Sequence, residues 1–359
     1  MRAPRTRSWL LGTVTLSLVL SACSGGTTDQ PGPGEESDEM PQSVVGPDFS
    51  TVFDADSLWY DRIDDDAAID PRSDEYVAAL VEEGENPVVS VNGWTMPVYE
   101  ADAATPRYTI QPTEDYVAGG WTLRDVPIPD AAAPDPQEDG HMVVVDRDEG
   151  CVYEFWQARR EGTGWTASWA NATPTDGDGV YPDGLSSRAS GLSAIAGLIW
   201  PQELAEGRID HALVFAYPNT RSGGPVPPAT ASDGTTDDDT ALPEGARLRL
   251  DPSIDVDSLG LSPTQNVIAE ALQTYGMILA DTSGGMSLYA ASPQSFENFP
   301  YPTSWSGDIW KDLSAIPFES MQVLEVEPQV ERYSGPPVTN RCSDGAFGGA
   351  AAGGQDDGE

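Results

Sequence analysis

The chain has 359 residues, with 59 Asp and Glu against 18 Lys and Arg, a formal net charge of −41, two histidines and three cysteines. Charge of that sign and size repels nucleic acid and anionic lipid headgroups, which excludes nucleic-acid binding from the expectations. A Walker A loop, a dinucleotide fingerprint, HExxH and GxSxG are all missing from the sequence, so the common nucleotide, zinc-protease and serine-hydrolase signatures give no lead.

The N-terminus carries Arg2, Arg5 and Arg7, followed by an apolar run from Trp9 to Leu20. That run is too short to span a bilayer as a helix and has the form of a secretory signal. It ends in Leu20-Ser21-Ala22-Cys23, which resembles a bacterial lipobox, implying a signal peptide over 1–22 and lipidation at Cys23. Residues 23–47 are rich in Gly, Pro, Ser and acids and read as a disordered tether. Residues 48–342 read as a single β-rich domain, and 343–359 as a disordered tail. With Cys23 lipidated in an oxidising compartment, Cys151 and Cys342 remain for a disulfide; two free buried thiols are the alternative.

Within the domain, DPRSDEYVAALVEEG reads as a helix capped by Asp70, with Pro71 at its first position and Gly84 at its end. Tyr76, Val77, Leu80 and Val81 form its apolar face. NPVVSVNG, HMVVVD, CVYEFWQA, GWTASWA, IDHALVFAY, ARLRLD, GMILAD and MSLYAA are strand-like. PQELAEG is a short helical turn. SPTQNVIAEALQTYG carries a capping box from Ser262 to Gln265, Pro263 at the first position and a stop at Gly276. Short strands without regular strand–helix alternation predict a mainly β fold, a β-sandwich of jelly-roll or concanavalin-like type, with two or three short helices.

HMVVVDRDEGCVYEFW reads as a hairpin turning between Asp146 and Gly150. An even loop puts His141, Val143 and Val145 on one face with Val152, Glu154 and Trp156; an odd loop moves Glu154 to the other face. A His141–Glu154 pair beside Trp156 is an acid/base or sugar-contacting patch, or equally a structural pair. His211 falls on a bulky strand face with Ile209, Leu213, Phe215 and Tyr217. The plain reading of such a residue is a core histidine with both nitrogens bonded. Arg247 and Arg249 share a strand face and Arg188 sits in LSSRASGLS; these arginines either pair with carboxylates or clamp an acidic sugar. Asp281 ends a strand, where it caps a turn or acts chemically. The Asp-rich loops TDGDGVYPDG and SDGTTDDD offer carboxylates for calcium but match no EF-hand, and read as solvated.

SLWYDRID, DGHMVVVD, VYEFW, ASGLSAIAGLI, ELAEGRIDHALVFA, PEGARLRLDPSIDV and ALQTYGMILAD together resemble a family of secreted bacterial proteins of actinobacterial type. Relatives read Asp-Arg-His where this chain has Asp139-Gly140-His141. The resemblance implies a carbohydrate-related setting. The expectation is a lipid-anchored protein on the outer face of the cell membrane, monomeric and without cofactor or metal. It acts as a glycoside hydrolase or lyase on an extracellular polysaccharide, or binds glycan or envelope without catalysis. On the catalytic reading His141, Glu154, His211 and Asp281 do chemistry, and Arg188, Arg247, Arg249 and Trp156 hold substrate.

Overall fold

The structure, a computed structural model, describes residues 37–84, 86–113, 122–181, 186–331 and 338–347. Cys23, the signal segment and the last twelve residues lie outside the described residues. In chain order the strands and helices are α1 (Ser73–Glu83), β1 (Val88–Ser90), β2 (Val98–Ala101), β3 (Arg107–Pro112), β4 (Leu123–Pro127), β5 (Met142–Asp146), β6 (Cys151–Trp156), β7 (Arg159–Glu161), β8 (Gly164–Ala167), β9 (Trp169–Pro174), α2 (Pro201–Glu206), β10 (Leu213–Tyr217), β11 (Arg247–Leu250), α3 (Pro263–Thr274), β12 (Met277–Thr282), β13 (Ser287–Tyr289), β14 (Trp310–Asp312), β15 (Met321–Val323), β16 (Val338–Asn340) and β17 (Ser343–Phe347).

The fold is mainly β, as the short strands predict. A seven-stranded sheet runs β14-β1-β13-β10-β12-β11-β15, a four-stranded sheet β2-β5-β6-β9, a second four-stranded sheet β4-β3-β8-β7, and β16 pairs with β17. Three apolar clusters stack these into layers. Leu213, Phe215, Met277 and Leu279 on one face of the large sheet pack with Leu80 of α1 and Ile268 and Leu272 of α3. Val214 and Ile278 on its other face meet Val98, Val143, Val145 and Val152. Met142, Val144, Tyr153 and Phe155 on the far side of that middle sheet meet Ile110, Val126 and Trp165 of the third sheet. The period-2 alternation of β5 and β6 therefore feeds two different cores, which explains why every residue of Met142–Asp146 is buried. Each fully buried Leu, Ile or Val contributes about 1.5–3 kcal/mol through the hydrophobic effect.

The sheets are mixed: β1/β13, β10/β12, β2/β5 and β3/β8 are parallel pairs. α3 forms as its caps predict, with Ser262 Oγ accepting from Gln265 N at 3.3 Å and Ser262 N donating to Gln265 Oε1 at 3.1 Å. It stops at Gly276, whose φ of +72° suits glycine and where a Cβ would lie 2.2 Å from Leu248 O. α1 starts at Ser73, later than Pro71 predicts, because the Asp70 carboxylate accepts from Arg72 N at 2.8 Å and closes a turn first. Val81, assigned to its apolar face, is exposed.

Both ends of the predicted domain extend further than the composition indicates. Met40 packs against the helix-side core and Val44 against the inter-sheet core, and Ser37 N donates to Thr303 Oγ1 at 2.9 Å, so residues 37–47 lie on the domain. Residues 343–347 form β17 against β16. Cys151 and Cys342 are disulfide-bonded with Cα atoms 5.7 Å apart, which ties this hairpin to the start of β6.

Candidate active site

The hairpin β5–β6 has an even loop: Val143 pairs with Glu154 and Val145 with Val152. Glu154 and His141 consequently lie on the side of the middle sheet that faces the seven-stranded sheet. The segment 186–200 runs between the two sheets, contributing Leu192, Ile195 and Leu198 to their shared core.

Glu154 organises that segment. One carboxylate oxygen accepts from Ser187 N at 3.0 Å and Ser186 Oγ at 3.3 Å, the other from Ser193 Oγ at 2.8 Å and Ala194 N at 2.9 Å. A fully buried carboxylate needs such donors to replace its lost hydration. Its oxygens are thereby committed to the loop, and Glu154 is placed as the support of Arg188 rather than beside a free imidazole.

Arg188 is buried, with Nη1 donating to Ser193 O at 2.8 Å and Ala196 O at 2.9 Å, and its guanidinium 5.7 Å from the Tyr289 ring centroid. Burial lowers its affinity for the proton, and Tyr289, Asp281 and Glu154 counter that. Its Nη2 has no hydrogen-bond partner. His141 is buried nearby. Burial lowers its imidazole to about 4, Asp139 opposing and Arg188 reinforcing that shift, while a hydrogen bond to the Phe155 backbone raises it slightly. Its Nδ1 has no partner. Asp139, half-buried, accepts from Trp156 Nε1 at 3.3 Å.

Asp281 reaches this neighbourhood through a β-bulge. β10 and β12 pair Phe215 with Leu279 and then Ala216 with Asp281, leaving Ala280 extra. Strict alternation would put Asp281 with Met277 and Leu279 under the helices. The bulge instead pairs it with Ala216, on the face of Val214 that looks toward the middle sheet. Burial and Asp233 push its carboxyl up to about 7 against the pull of Arg188, with Asp139 adding to the rise. Tyr289, half-buried on β13, is pushed up by burial and Asp281. Glu244, completely buried, is raised to about 10 by burial, Asp281 and Asp233.

Asp139, His141, Trp156, Arg188, Asp281 and Tyr289 thus form one neighbourhood contributed by two sheets and the segment between them. His211 has partners of its own outside this neighbourhood, a correction to the catalytic reading that set it with His141, Glu154 and Asp281. Its Nδ1 bonds Ala212 O at 2.9 Å and its Nε2 meets Glu203 Oε2 at 3.2 Å. Burial opposes its charge, but Glu203 outweighs burial and raises the imidazole above its ordinary value. Arg247 and Arg249 do share a face, yet they hold the 61–64 segment. Arg247 Nη2 donates to Asp61 O at 2.7 Å and Tyr275 O at 2.7 Å, while Arg249 Nη1 donates to Asp64 O at 2.9 Å. Arg249 Nε also donates to Gln322 Oε1 at 2.9 Å, so both guanidiniums hold the protein's own segments together.

Sequence reasoning passed over Asp139, Tyr289 and Glu244 as site residues, and read Asp233, in SDGTTDDD, as part of a solvated loop. Asp139 stands beside His141 in DGH and was open to detection; Tyr289 and Glu244 reach the site only through long-range strand pairing. No family model, no curated protein and no solved structure matches this chain.

Proposed function

We propose that the protein is a lipid-anchored extracytoplasmic enzyme that hydrolyses a neutral glycan at the Asp139–His141–Arg188–Asp281–Tyr289 site. One observation carries this reading: His141 Nδ1 and Arg188 Nη2 are buried without partners among the described residues, in the same neighbourhood. An unsatisfied acceptor and an unsatisfied donor are costly to bury, and sugar hydroxyls, which donate and accept, would satisfy both once binding uncovers them. Trp156 and Tyr289, both partly exposed, supply ring faces against which a pyranose stacks. Asp139 and Asp281 supply two carboxyl groups of the kind glycoside hydrolysis uses, one to protonate the leaving oxygen and one to activate water or attack the anomeric carbon.

The lyase alternative needs an arginine to neutralise a uronate. Arg188 already has Asp281 and Glu154 among its charged neighbours, and a chain of net charge −41 repels a polyuronate. The resemblance to secreted proteins in carbohydrate-related settings agrees with a glycan substrate. The test is a panel of neutral polysaccharides assayed for new reducing ends and for unsaturated products. New reducing ends that fall at least ~100-fold in Asp139→Asn, the scale of lost general acid–base catalysis, are expected. Glycan binding without turnover would reduce the protein to a binding module, and unsaturated products would make it a lyase.

A further inference from the structure

We infer that Asp233, Glu244 and Asp281 form a binding site for a calcium ion. One carboxylate oxygen from each lies within 4.8 Å of the others, close enough to share one cation, and a site of three protein carboxylates suits Ca2+ better than Mg2+, which keeps its waters and takes one or two carboxylates. The donors are all hard oxygens, with no thiolate or imidazole among them, which suits calcium and disfavours zinc or copper.

The second observation is Glu244 itself. Its side chain is fully buried and neither carboxylate oxygen has a hydrogen-bond partner. Ser232 and Asp233 lie beside it, but in neither case is the geometry that of a hydrogen bond. Its charged neighbours are Asp281 and Asp233, both of its own sign. Arg188 compensates Asp281, not Glu244. A buried carboxylate with no hydrogen bond among the described residues, and with only carboxylates as charged neighbours, calls for a cation at their centre.

Three different parts of the chain deliver the ligands. Asp281 comes from the bulge of β12, and Glu244 from the turn just before β11. Asp233 comes from the Asp-rich loop, where it is exposed and held by Thr282 Oγ1, which donates to its Oδ1 at 2.6 Å. The ion would pin the loop to the end of the large sheet beside Arg188 and Tyr289. The ion needs one oxygen from each carboxylate, so Asp281 keeps its second oxygen for the role proposed above.

The experiment needs no glycan, so it stands or falls apart from the hydrolase reading. The full chain is stripped with a chelator and titrated with Ca2+ at constant ionic strength, following thermal unfolding and terbium luminescence sensitised by Tyr289. A saturable rise in Tm is expected, with a dissociation constant in the range of about 0.1–1 mM seen for extracellular calcium modules. Ca2+ should displace terbium. Asp233→Asn, at the exposed rim where folding is tolerant, should weaken Ca2+ at least tenfold, and Glu244→Gln should abolish the response. A wild-type Tm indifferent to Ca2+ would overturn the site, as would an Asp233→Asn protein that responds like wild type.

Discussion

At the scale of single residues, the two histidines show how one side chain takes opposite roles in two environments. His141 is stripped of water beside Arg188 and held near 4, below its ordinary value of about 6.5. Between those values the unfolded chain binds a proton that the folded chain refuses. Acidification through that window therefore destabilises the fold, by as much as about 3 kcal/mol for the full shift. His211, raised by Glu203 against the effect of burial, has the reverse sign. Its contribution is complete below the ordinary value and is lost as pH rises through the higher folded one. Urea unfolding across the acid to alkaline range should show His141→Gln losing the acid-side decline. His211→Gln should lose most stability on the acid side. Parallel stability profiles for wild type and both variants would refute these assignments.

At the scale of elements, the C-terminal hairpin depends on its covalent tie. Asn340 Nδ2 donates to Ala172 O at 2.8 Å and Arg341 Nη2 to Gly150 O at 2.9 Å, but the disulfide closes a loop with a sequence separation of 191 residues. In the chain-entropy model so long a closure is worth about 5 kcal/mol. Cys342→Ser should approach that loss in denaturant unfolding and should speed amide exchange in β16 and β17; unaltered exchange there would show that the hairpin stands without the bond. Several elements were legible beforehand. α3 follows from Ser262, Pro263 and Gly276, whereas the face of Glu154 hung on the loop length, which the four-residue turn settles in favour of the His141 side. The position of Asp281 did not follow, because a single extra residue at Ala280 reverses its face and no local pattern marks it. Nor did the meeting of Arg188 with Tyr289, which requires the inter-sheet segment and β13 to be brought together by pairings distant in sequence. The site is built from such irregularities, while the scaffold is built from repetition.

At the scale of the whole molecule, three stacked sheets and a helical layer leave the middle sheet dry on both sides. Polar groups there are held at cost, which is why Glu154 has its full set of donors and why the atoms of His141 and Arg188 without partners among the described residues carry the proposal of a ligand. Attachment belongs to this scale too. If Cys23 carries lipid, Cys23→Ser should move the protein from the detergent phase to the aqueous phase on detergent partitioning; retention in detergent would exclude the anchor.

The docking of Ser37 and Met40 on the domain sets a leash. From Cys23 to Ser37 is fourteen residues, which at full stretch reach no more than about 50 Å. An anchored copy would therefore patrol only a thin shell over the bilayer, and a polymer beyond that shell would have to come to it.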